Sequence, residues 1–296
     1  MSTNYAETTP QGAPVPGAGS RVELQAVTKI YGEGPLARPV VEDCSFVLEP
    51  GQVTVMVGPS GCGKSSVVFL IAGYERPTKG KILLDGKGVG GPSWDRLVVF
   101  QESALLPWLT TYENILFGPK ARGFDKKEMG SRAEDLLERV GLREFRDKYP
   151  TQLSGGMQRR AELARALIND PKVMILDEPF RGLDHMTRGL MQEYFSTLLD
   201  EKPRTSLFIT TDIDEAIFLA DRLLIMTSIP TRVREVIEVD LPRPRHREDV
   251  LINQQANQIK ERALEVLHEE ALKAFAGGSK AAADFVDAYM KRRGDG

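Results

Sequence analysis

The chain has 296 residues, of which 41% are hydrophobic and 27% are charged, a composition typical of a globular protein that buries a sizeable core. Its formal charge of −3 and sequence pI of about 5.8 argue against the basic surface that drives non-specific nucleic-acid binding, so no nucleic-acid partner is expected. No apolar run approaches the roughly 18 residues that span a bilayer, and the N-terminus lacks the pattern of a secretory signal. We therefore expect no transmembrane segment and no signal peptide, and work at a membrane would need a partner chain that supplies the span.

The first 20 residues are rich in Pro, Gly, Ser and Thr and show no apolar periodicity, which predicts a disordered tail at residues 1–20. Short β-rich runs follow at residues 22–27 and 41–48, and they predict an antiparallel edge layer. Apolar runs typical of buried strands then occur at residues 53–57, 97–100, 173–176, 207–210 and 223–226. Because helical stretches separate most of these runs, the predicted fold class is α/β with a mostly parallel core sheet.

Two helical regions interrupt or follow this α/β pattern. A helical subdomain is predicted at about residues 102–167, where no strand-like run occurs and apolar residues recur at helical spacing, namely Met129, Ala133, Leu136, Leu137 and Val140. Past residue 241 a Pro-Arg-Pro-Arg segment breaks the pattern, and a second amphipathic helix is predicted from Ile259, Ala263, Leu267 and Ala271. This C-terminal extension, residues 241–296, either packs against its own domain or docks a partner. No internal repeat occurs, so the main domain, residues 21–240, is present once.

Residues 58–65 fit the pattern G-x-x-x-x-G-K-[ST] between an apolar strand and a helical run at residues 66–72, which is the context that a phosphate-binding loop requires. The glycines let backbone N–H groups point at a polyphosphate, and the N-terminus of the following helix adds a favourable dipole. Lys64 would bind the outer phosphates and Ser65 the magnesium ion. The predicted ATP-binding residues of this loop are Gly58, Pro59, Ser60, Gly61, Cys62, Gly63, Lys64, Ser65 and Ser66. A disulfide at Cys62 would obstruct the ligand, so the two cysteines, Cys44 and Cys62, indicate a reducing compartment.

Two acidic residues follow the apolar run at residues 173–176. Asp177 at the strand tip can engage magnesium through water, and Glu178 can orient or deprotonate the water that attacks the terminal phosphate. Two acids after a strand are often only a cap. Their combination with a phosphate loop on the same chain favours phosphoryl transfer.

A second anion site is predicted where a serine and two glycines precede a helix, in the segment Leu153, Ser154, Gly155, Gly156, Met157 and Gln158. A second phosphate site is redundant on one chain, but it is useful if it binds the nucleotide of another subunit. We therefore predict that two ATP molecules lie between two chains, either in a homodimer or in a heterodimer with another ATPase subunit.

With these motifs in this order, residues 22–239 resemble the ATPase subunits of ABC transporters, and residues 153–158 are similar to the signature motif of that family. The resemblance implies a P-loop ATPase with ATP and Mg²⁺ as ligands and a transmembrane permease as partner. By the same resemblance, Gln101 matches the glutamine that contacts magnesium and couples to the permease. Tyr31 matches the aromatic residue that stacks on adenine, and Asp184 lies in the D-loop, which crosses the dimer interface.

A finer resemblance, to the importers of nitrate, sulfonates and taurine, rests on residues 98–109, 214–222 and 241–245. It implies a motor subunit on the cytoplasmic face of the inner membrane that works with a permease and an extracytoplasmic solute-binding protein. Trp108, Leu105 and Leu106 follow Gln101, where the resemblance places the groove for the permease; alternatively, they form the core of the helical subdomain. The sequence does not identify the solute, because the permease and the solute-binding protein determine specificity.

The chain departs from the family at Thr211, where the resemblance leads us to expect a histidine that contacts the terminal phosphate and the attacking water. Threonine is shorter, carries no charge and does not titrate near neutral pH. The loss of one such contact commonly costs about 10² to 10³ in rate. Three explanations stay open: Thr211 suffices with a bridging water, a histidine-bearing paralogue completes a heterodimer, or His185 substitutes from the facing subunit.

The sequence therefore predicts an ATP-hydrolysing subunit of an ABC importer for a small anion. One alternative is a degenerate or regulatory subunit that binds ATP and hydrolyses it slowly, for which Thr211 is the supporting feature. Another is an ABC ATPase that acts on nucleic acid or ribosomes, which the single domain copy and the lack of long coiled insertions disfavour.

Overall fold

The computed structural model describes residues 19–276. The tail predicted for residues 1–20 lies outside this range except for Gly19 and Ser20, and so do the last 20 residues of the C-terminal extension. Ser20 is buried, and its carbonyl accepts a hydrogen bond of 2.8 Å from the Thr205 hydroxyl. The described part of the chain therefore begins against the core sheet.

The described residues form ten strands and eight α-helices. The strands are β1 (Val22–Tyr31), β2 (Arg38–Leu48), β3 (Val53–Val57), β4 (Lys79–Leu84), β5 (Lys87–Gly88), β6 (Arg96–Val99), β7 (Val173–Asp177), β8 (Thr205–Ile209), β9 (Arg222–Met226) and β10 (Val233–Glu238). The helices are α1 (Lys64–Ala72), α2 (Thr111–Ala121), α3 (Lys126–Arg139), α4 (Gly155–Leu167), α5 (His185–Glu201), α6 (Ile213–Leu219), α7 (Arg247–Ile252) and α8 (Gln254–Ala276). Among these helices none is both long enough and apolar enough to cross a bilayer.

The core sheet has six strands in the order β10-β9-β3-β8-β7-β6, parallel except for the antiparallel edge strand β10. β3, β7 and β8 are buried at every position, which explains their continuous apolar sequences. The predicted α/β class with a mostly parallel core is confirmed. Because parallel strands end at the same edge, the segments after β3, β6, β7 and β8 lie side by side, where ligands bind in open α/β sheets.

The second sheet is antiparallel, in the order β2-β1-β4-β5, and it confirms the predicted edge layer. β2 begins at Arg38, earlier than the residue 41 expected from the apolar run, because pairing with β1 extends it to Tyr31. The sequence did not indicate β4, β5 or β10. In β10 half-buried and exposed positions alternate along the strand, as is usual for an edge strand with one face in solvent.

Helices α2, α3 and α4 form the predicted helical subdomain, and the described chain between β6 and β7 contains no strand. The apolar stripe of α3 is buried, with Ala133 and Leu137 fully covered. Thr110 and Glu113 form a capping box at the start of α2, which fixes where that helix begins. Residues of this subdomain and of the parallel sheet belong to one apolar cluster, so the helical subdomain packs directly on the sheet.

The C-terminal helix α8 packs on its own domain. Glu270 accepts a hydrogen bond of 3.1 Å from the Ser228 amide, and Lys260 pairs with Asp214 of α6 at 2.6 Å. Its buried positions are Ala256, Ile259, Ala263, Val266 and Glu270. The expected stripe is therefore right for Ile259 and Ala263 but wrong for Ala271, which is exposed because the helical period moves the buried face to Val266 and Glu270.

The Pro-Arg-Pro-Arg segment fastens this extension to the sheet. The Arg245 guanidinium is buried and donates to the carbonyls of Phe218 (3.2 Å) and Leu241 (3.1 Å), and burial lowers its pKa to about 10. Arg243 pairs with Asp200 and Asp221, each at 2.8 Å. Arg243 and Arg245 thus bind carboxylates and backbone carbonyls at one end of the domain, away from the edge that bears the predicted phosphate loop.

Candidate functional site

The predicted phosphate loop has the geometry that its glycines require. Gly61 and Gly63 have φ of +74° and +104°, a left-handed conformation that glycine adopts without strain. A Cβ at Gly63 would lie 2.4 Å from the Thr231 hydroxyl, so space also demands glycine there. Helix α1 begins at Lys64, which directs its N-terminal N–H groups at the loop. The strand and the helix predicted on either side of the loop are both confirmed.

Lys64 is buried within the loop, with a 7% exposed side chain. Its ammonium group donates hydrogen bonds of 2.9 Å to the carbonyls of Gly58 and Pro59. The third ammonium hydrogen reaches only the Cys62 Sγ at 3.8 Å, and sulfur is a weak acceptor that a phosphate oxygen could replace. A polyphosphate in the loop would compete for the same hydrogens. Its binding would be favoured because the Lys64 ammonium is already positioned in the loop.

Ser65 and Asp177 lie next to each other at the ends of neighbouring elements. The Ser65 hydroxyl donates to an Asp177 carboxylate oxygen at 3.2 Å. Asp177 is 8% exposed, and burial raises the pKa of its carboxyl. A hydroxyl and a carboxylate are hard oxygen donors, which is the ligand class that Mg²⁺ prefers, so this pair fits the predicted magnesium site.

Glu178 immediately follows Asp177 and has a φ of +45°, which is uncommon for a residue with a side chain. Its backbone N–H donates to the Ile209 carbonyl of β8 at 2.9 Å, and this bond holds the strained residue in place. The carboxylate accepts a hydrogen bond of 2.9 Å from Arg181. Glu178 is therefore fixed at the sheet edge with its carboxylate on the site side, as a residue that positions water must be.

A cavity of about 220 Å³ joins the phosphate loop to the ends of β7 and β8. Its lining includes Ser60, Glu178, Arg181, Arg188, Thr211 and Glu215. The structure thus brings Thr211 and Glu178 to one cavity with a residue of the phosphate loop. Glu215 is buried, which raises the pKa of its carboxyl, and it accepts a hydrogen bond from Gln192.

Gln101 is exposed just after β6, and its carbonyl accepts a hydrogen bond of 3.0 Å from Arg159. Arg159, in α4, also donates to the carbonyls of Phe100 (2.7 Å), Glu178 (3.4 Å) and Pro179. The buried Arg159 guanidinium thereby links α4, which begins within the predicted signature segment, to the ends of β6 and β7. The sequence did not single out Arg159 as a site residue, because nothing local indicates which carbonyls it reaches.

The predicted signature segment begins α4, with Ser154 as its N-cap and Gly155 exposed. The Ser154 hydroxyl accepts from the Met157 amide, and Gln158 donates to the carbonyls of Pro150 and Leu153. Leu153 is buried and anchors the segment. Among the described residues, no hydrogen bond joins Ser154 to the phosphate loop of the same chain.

The predicted D-loop residue Asp184 is the N-cap of α5. Its carboxylate accepts hydrogen bonds from the Met186 and Thr187 amides, and the bond from Thr187 lowers its pKa. Gly156 of the signature segment lies against this turn, since a Cβ there would be 3.2 Å from a Thr187 methyl group. The signature segment and the D-loop therefore form one continuous surface.

Tyr31 and Trp108 lie at the borders of the site. The Tyr31 hydroxyl donates to Glu75 at 2.6 Å and lies 3.3 Å from the Ser66 hydroxyl, so the ring stands beside α1; burial raises the pKa of this phenol. Trp108 is 69% exposed, whereas Leu105 is 8% exposed and belongs to the main apolar cluster. The alternative that all three apolar residues after Gln101 form core is therefore wrong for Trp108 and right for Leu105.

The comparisons with known proteins agree with these motifs. The model of a family described as ABC transporter matches residues 41–181. An uncharacterized ABC transporter ATP-binding protein of Methanocaldococcus jannaschii is 38% identical over 86% of this chain and 93% of its own length. A bicarbonate transport ATP-binding protein of Synechococcus elongatus is 39% identical, over 86% and 92%. An aliphatic sulfonates import ATP-binding protein of Bacillus cereus is 40% identical, over 76% and 88%.

Among solved structures, the chain is similar to an ATP-binding cassette, MJ0796, in a dimeric post-hydrolysis state bound to ADP and phosphate. The two are 28% identical and superpose with a TM-score of 0.66, over 75% of this chain and all of the other.

Proposed function

This chain belongs to the ABC transporter family of ATP-binding proteins, and on that basis we propose that it binds and hydrolyses ATP to drive import of a small anion through a separate permease. The observation that carries the proposal is the meeting of the phosphate loop, the Ser65–Asp177 pair and Glu178 at neighbouring ends of parallel strands. This arrangement supports a role for the Glu178 carboxylate in activating water beside a bound polyphosphate.

The proposed reaction is the in-line attack of water on the terminal phosphorus of ATP. The water oxygen bonds to phosphorus, its proton passes to a carboxylate oxygen of Glu178, and the bond to ADP breaks with its electron pair left on ADP. Lys64 and the loop amides bind the phosphates. Ser65, Asp177 and Gln101 would hold Mg²⁺, which neutralises charge on the phosphate oxygens when bound.

We further propose that two such chains close on two ATP molecules, with Ser154, Gly155 and Gly156 of one chain at the nucleotide of the other. The exposed N-terminus of α4 and its continuity with the turn at Asp184 support this arrangement. A solved relative is described as a dimer, which is consistent with it. The second chain is either a copy of this one or a paralogue.

The partner in the membrane is proposed to be a permease that docks near Trp108, on the cytoplasmic face, with an extracytoplasmic binding protein that supplies the solute. The exposure of Trp108 supports this contact surface. Relatives named for bicarbonate, aliphatic sulfonates and taurine point to a small anion as solute. Bicarbonate was not among the anions that the sequence analysis named, and it widens the class to be tested.

A second candidate is a regulatory subunit that holds ATP and hydrolyses it slowly, favoured by Thr211 in the cavity beside Glu178. The experiment that separates the two is Mg-ATP turnover of the full chain, with and without a permease from the same source, for wild type and for Glu178→Gln. Turnover that Glu178→Gln abolishes, with dimers that accumulate on ATP, supports the motor. ATP binding without turnover under either condition supports the regulatory subunit, and no ATP binding contradicts both.

A further inference from the structure

The cavity beside Glu178 contains an arginine that the family resemblance did not indicate. Arg181 follows Glu178 by three residues, and its guanidinium lies 2.9 Å from the Glu178 carboxylate. The same cavity is lined by Ser60 of the phosphate loop and by Thr211. A cation therefore stands where the terminal phosphate, the attacking water and the expected histidine would meet.

We propose that Arg181 supplies, in the same chain, the positive charge at the terminal phosphate of ATP that Thr211 lacks. This inference rests on the proposed ATPase function and adds a catalytic residue to it. Phosphoryl transfer spreads negative charge over three oxygens of the transferred group, and a preorganised donor stabilises that charge more than it stabilises bound ATP. A guanidinium has five donors in a fixed fork that matches phosphate oxygens, and it stays charged at any working pH.

The other arginine of this cavity is held by two groups of the protein. Arg188 donates to the Leu183 carbonyl at 3.0 Å and lies 3.9 Å from the Asp212 carboxylate, while its buried Nε has no hydrogen-bond partner among the described residues. Among the described residues, the Arg181 guanidinium contacts a single side chain, that of Glu178, and it is 63% exposed. An ion pair with an exposed partner is weak, so phosphate oxygens exchange for the carboxylate easily.

The turn that bears Arg181 is rigid, although the side chain is not. Its backbone N–H donates to the Glu178 carbonyl at 3.1 Å, and the preceding Phe180 is 1% exposed. The Phe180 ring packs against Phe208 at 5.6 Å and Phe195 at 6.1 Å. The backbone of Arg181 is thus fixed relative to β7 and β8, and only the Arg181 side chain has to change its rotamer.

The movement has a second consequence for Glu178. While Arg181 bonds to the carboxylate, one of its oxygens is occupied and is a poorer acceptor for a proton from water. When the guanidinium turns to a terminal phosphate, the carboxylate becomes free to accept that proton. Binding of ATP, and not of ADP, would therefore both place the cation and release the base.

The test compares Arg181→Gln, Thr211→His and the double variant in the full chain, with Arg143→Gln as matched control. Arg143 also forms an ion pair with a glutamate, Glu138, at 2.8 Å, but in an exposed part of the helical subdomain. Three quantities are measured: affinity for a fluorescent ATP analogue with Mg²⁺, steady-state turnover, and trapping of ADP with vanadate, which mimics the transferred phosphoryl group.

The proposal predicts that Arg181→Gln lowers turnover about 10²-fold and weakens vanadate trapping in parallel, while ATP affinity and thermal stability stay close to wild type. Thr211→His in the Arg181→Gln background restores turnover at least about 10-fold, and the pH profile gains an inflection near the histidine pKa of about 6.5 that wild type lacks. Arg143→Gln behaves as wild type.

Turnover of Arg181→Gln equal to or above wild type would overturn the proposal, because Arg181 would then be inert or would restrain Glu178. Parallel losses of ATP affinity and thermal stability would also overturn it, as would failure of Thr211→His to restore turnover. Failure of the proposed ATPase function would give a different result. Wild-type turnover would be absent, or it would be unaffected by Glu178→Gln and would then come from a contaminating enzyme.

Discussion

The Ser65 hydroxyl lies 3.2 Å from the Asp177 carboxylate, although 112 residues separate the two along the chain. Parallel pairing of β3 and β7 with β8 between them brings the first turn of α1 next to the end of β7. Asp177 is buried there, and among the described residues it forms no salt bridge. Its negative charge therefore lowers the free energy of unfolding of the nucleotide-free chain.

Asp177→Asn should therefore raise the melting temperature of the nucleotide-free protein, on the order of 2 °C at pH 7.5, and abolish Mg-dependent turnover. Burial raises the pKa of this carboxyl in the folded chain, so its ionisation destabilises the fold above both pKa values and has no effect below them. The gain should shrink as pH falls through the carboxyl pKa range. Thermal melts of both proteins at pH 7.5 and pH 4.5 check this, and an equal gain at both values would contradict it.

Gly155 and Gly156 offer a matched pair that separates folding from function in the signature segment. A Cβ at Gly156 would meet a Thr187 methyl group at 3.2 Å, whereas a Cβ at Gly155 would meet nothing within 4 Å. We expect Gly156→Ala to cost about 1 kcal/mol of unfolding free energy and Gly155→Ala to cost none. Gly155→Ala should still lower ATP-dependent dimerisation, because the added methyl faces the second chain in the proposed dimer. Urea unfolding and size-exclusion chromatography measure the two effects, and destabilisation by Gly155→Ala would count against this assignment.

Arg159 should matter more to stability than its neighbour Arg160. Arg159 is 6% exposed and pairs with the buried Glu162, whereas Arg160 donates to one carbonyl, that of Val140, at 2.8 Å. We predict that Arg159→Met lowers the unfolding free energy by about 3 kcal/mol, because it leaves the buried Glu162 with only the more distant guanidinium of Arg165, at 3.8 Å. Arg160→Met should cost no more than about 1 kcal/mol. Adding Glu162→Gln to Arg159→Met should recover part of the loss in chemical denaturation, and equal losses for the two arginines would refute the distinction.

Trp108→Ser tests the proposed permease surface. Trp108 is 69% exposed, so its removal leaves the fold intact, and turnover of the isolated chain should stay within about two-fold of wild type. Stimulation of turnover by the permease should fall about 10-fold, as expected when an aromatic anchor of an interface is lost. Ile252→Ser is the control, because Ile252 is 82% exposed on the C-terminal extension. The same permease stimulation in both variants would place the contact elsewhere.

The sequence by itself determined those sites whose functional residues lie close together along the chain. The loop at residues 58–65 was predicted with its strand and helix because glycine and lysine at fixed spacing suit few other structures. Asp177 and Glu178 were found because a fully apolar strand ends in them. The fold class followed from runs such as residues 53–57, since a buried parallel strand has to be apolar at every position.

Only the tertiary structure decided which distant groups meet. Whether Ser65 contacts Asp177, whether Trp108 is exposed while Leu105 is core, and which carbonyls Arg159 binds all depend on packing between segments far apart in the chain. The hydrogen bond that Glu270 of α8 accepts from the Ser228 amide is likewise set by packing, because nothing in the sequence of the helix indicates this partner. Residue type and spacing are local properties, whereas burial and pairing are set by all the elements that pack together.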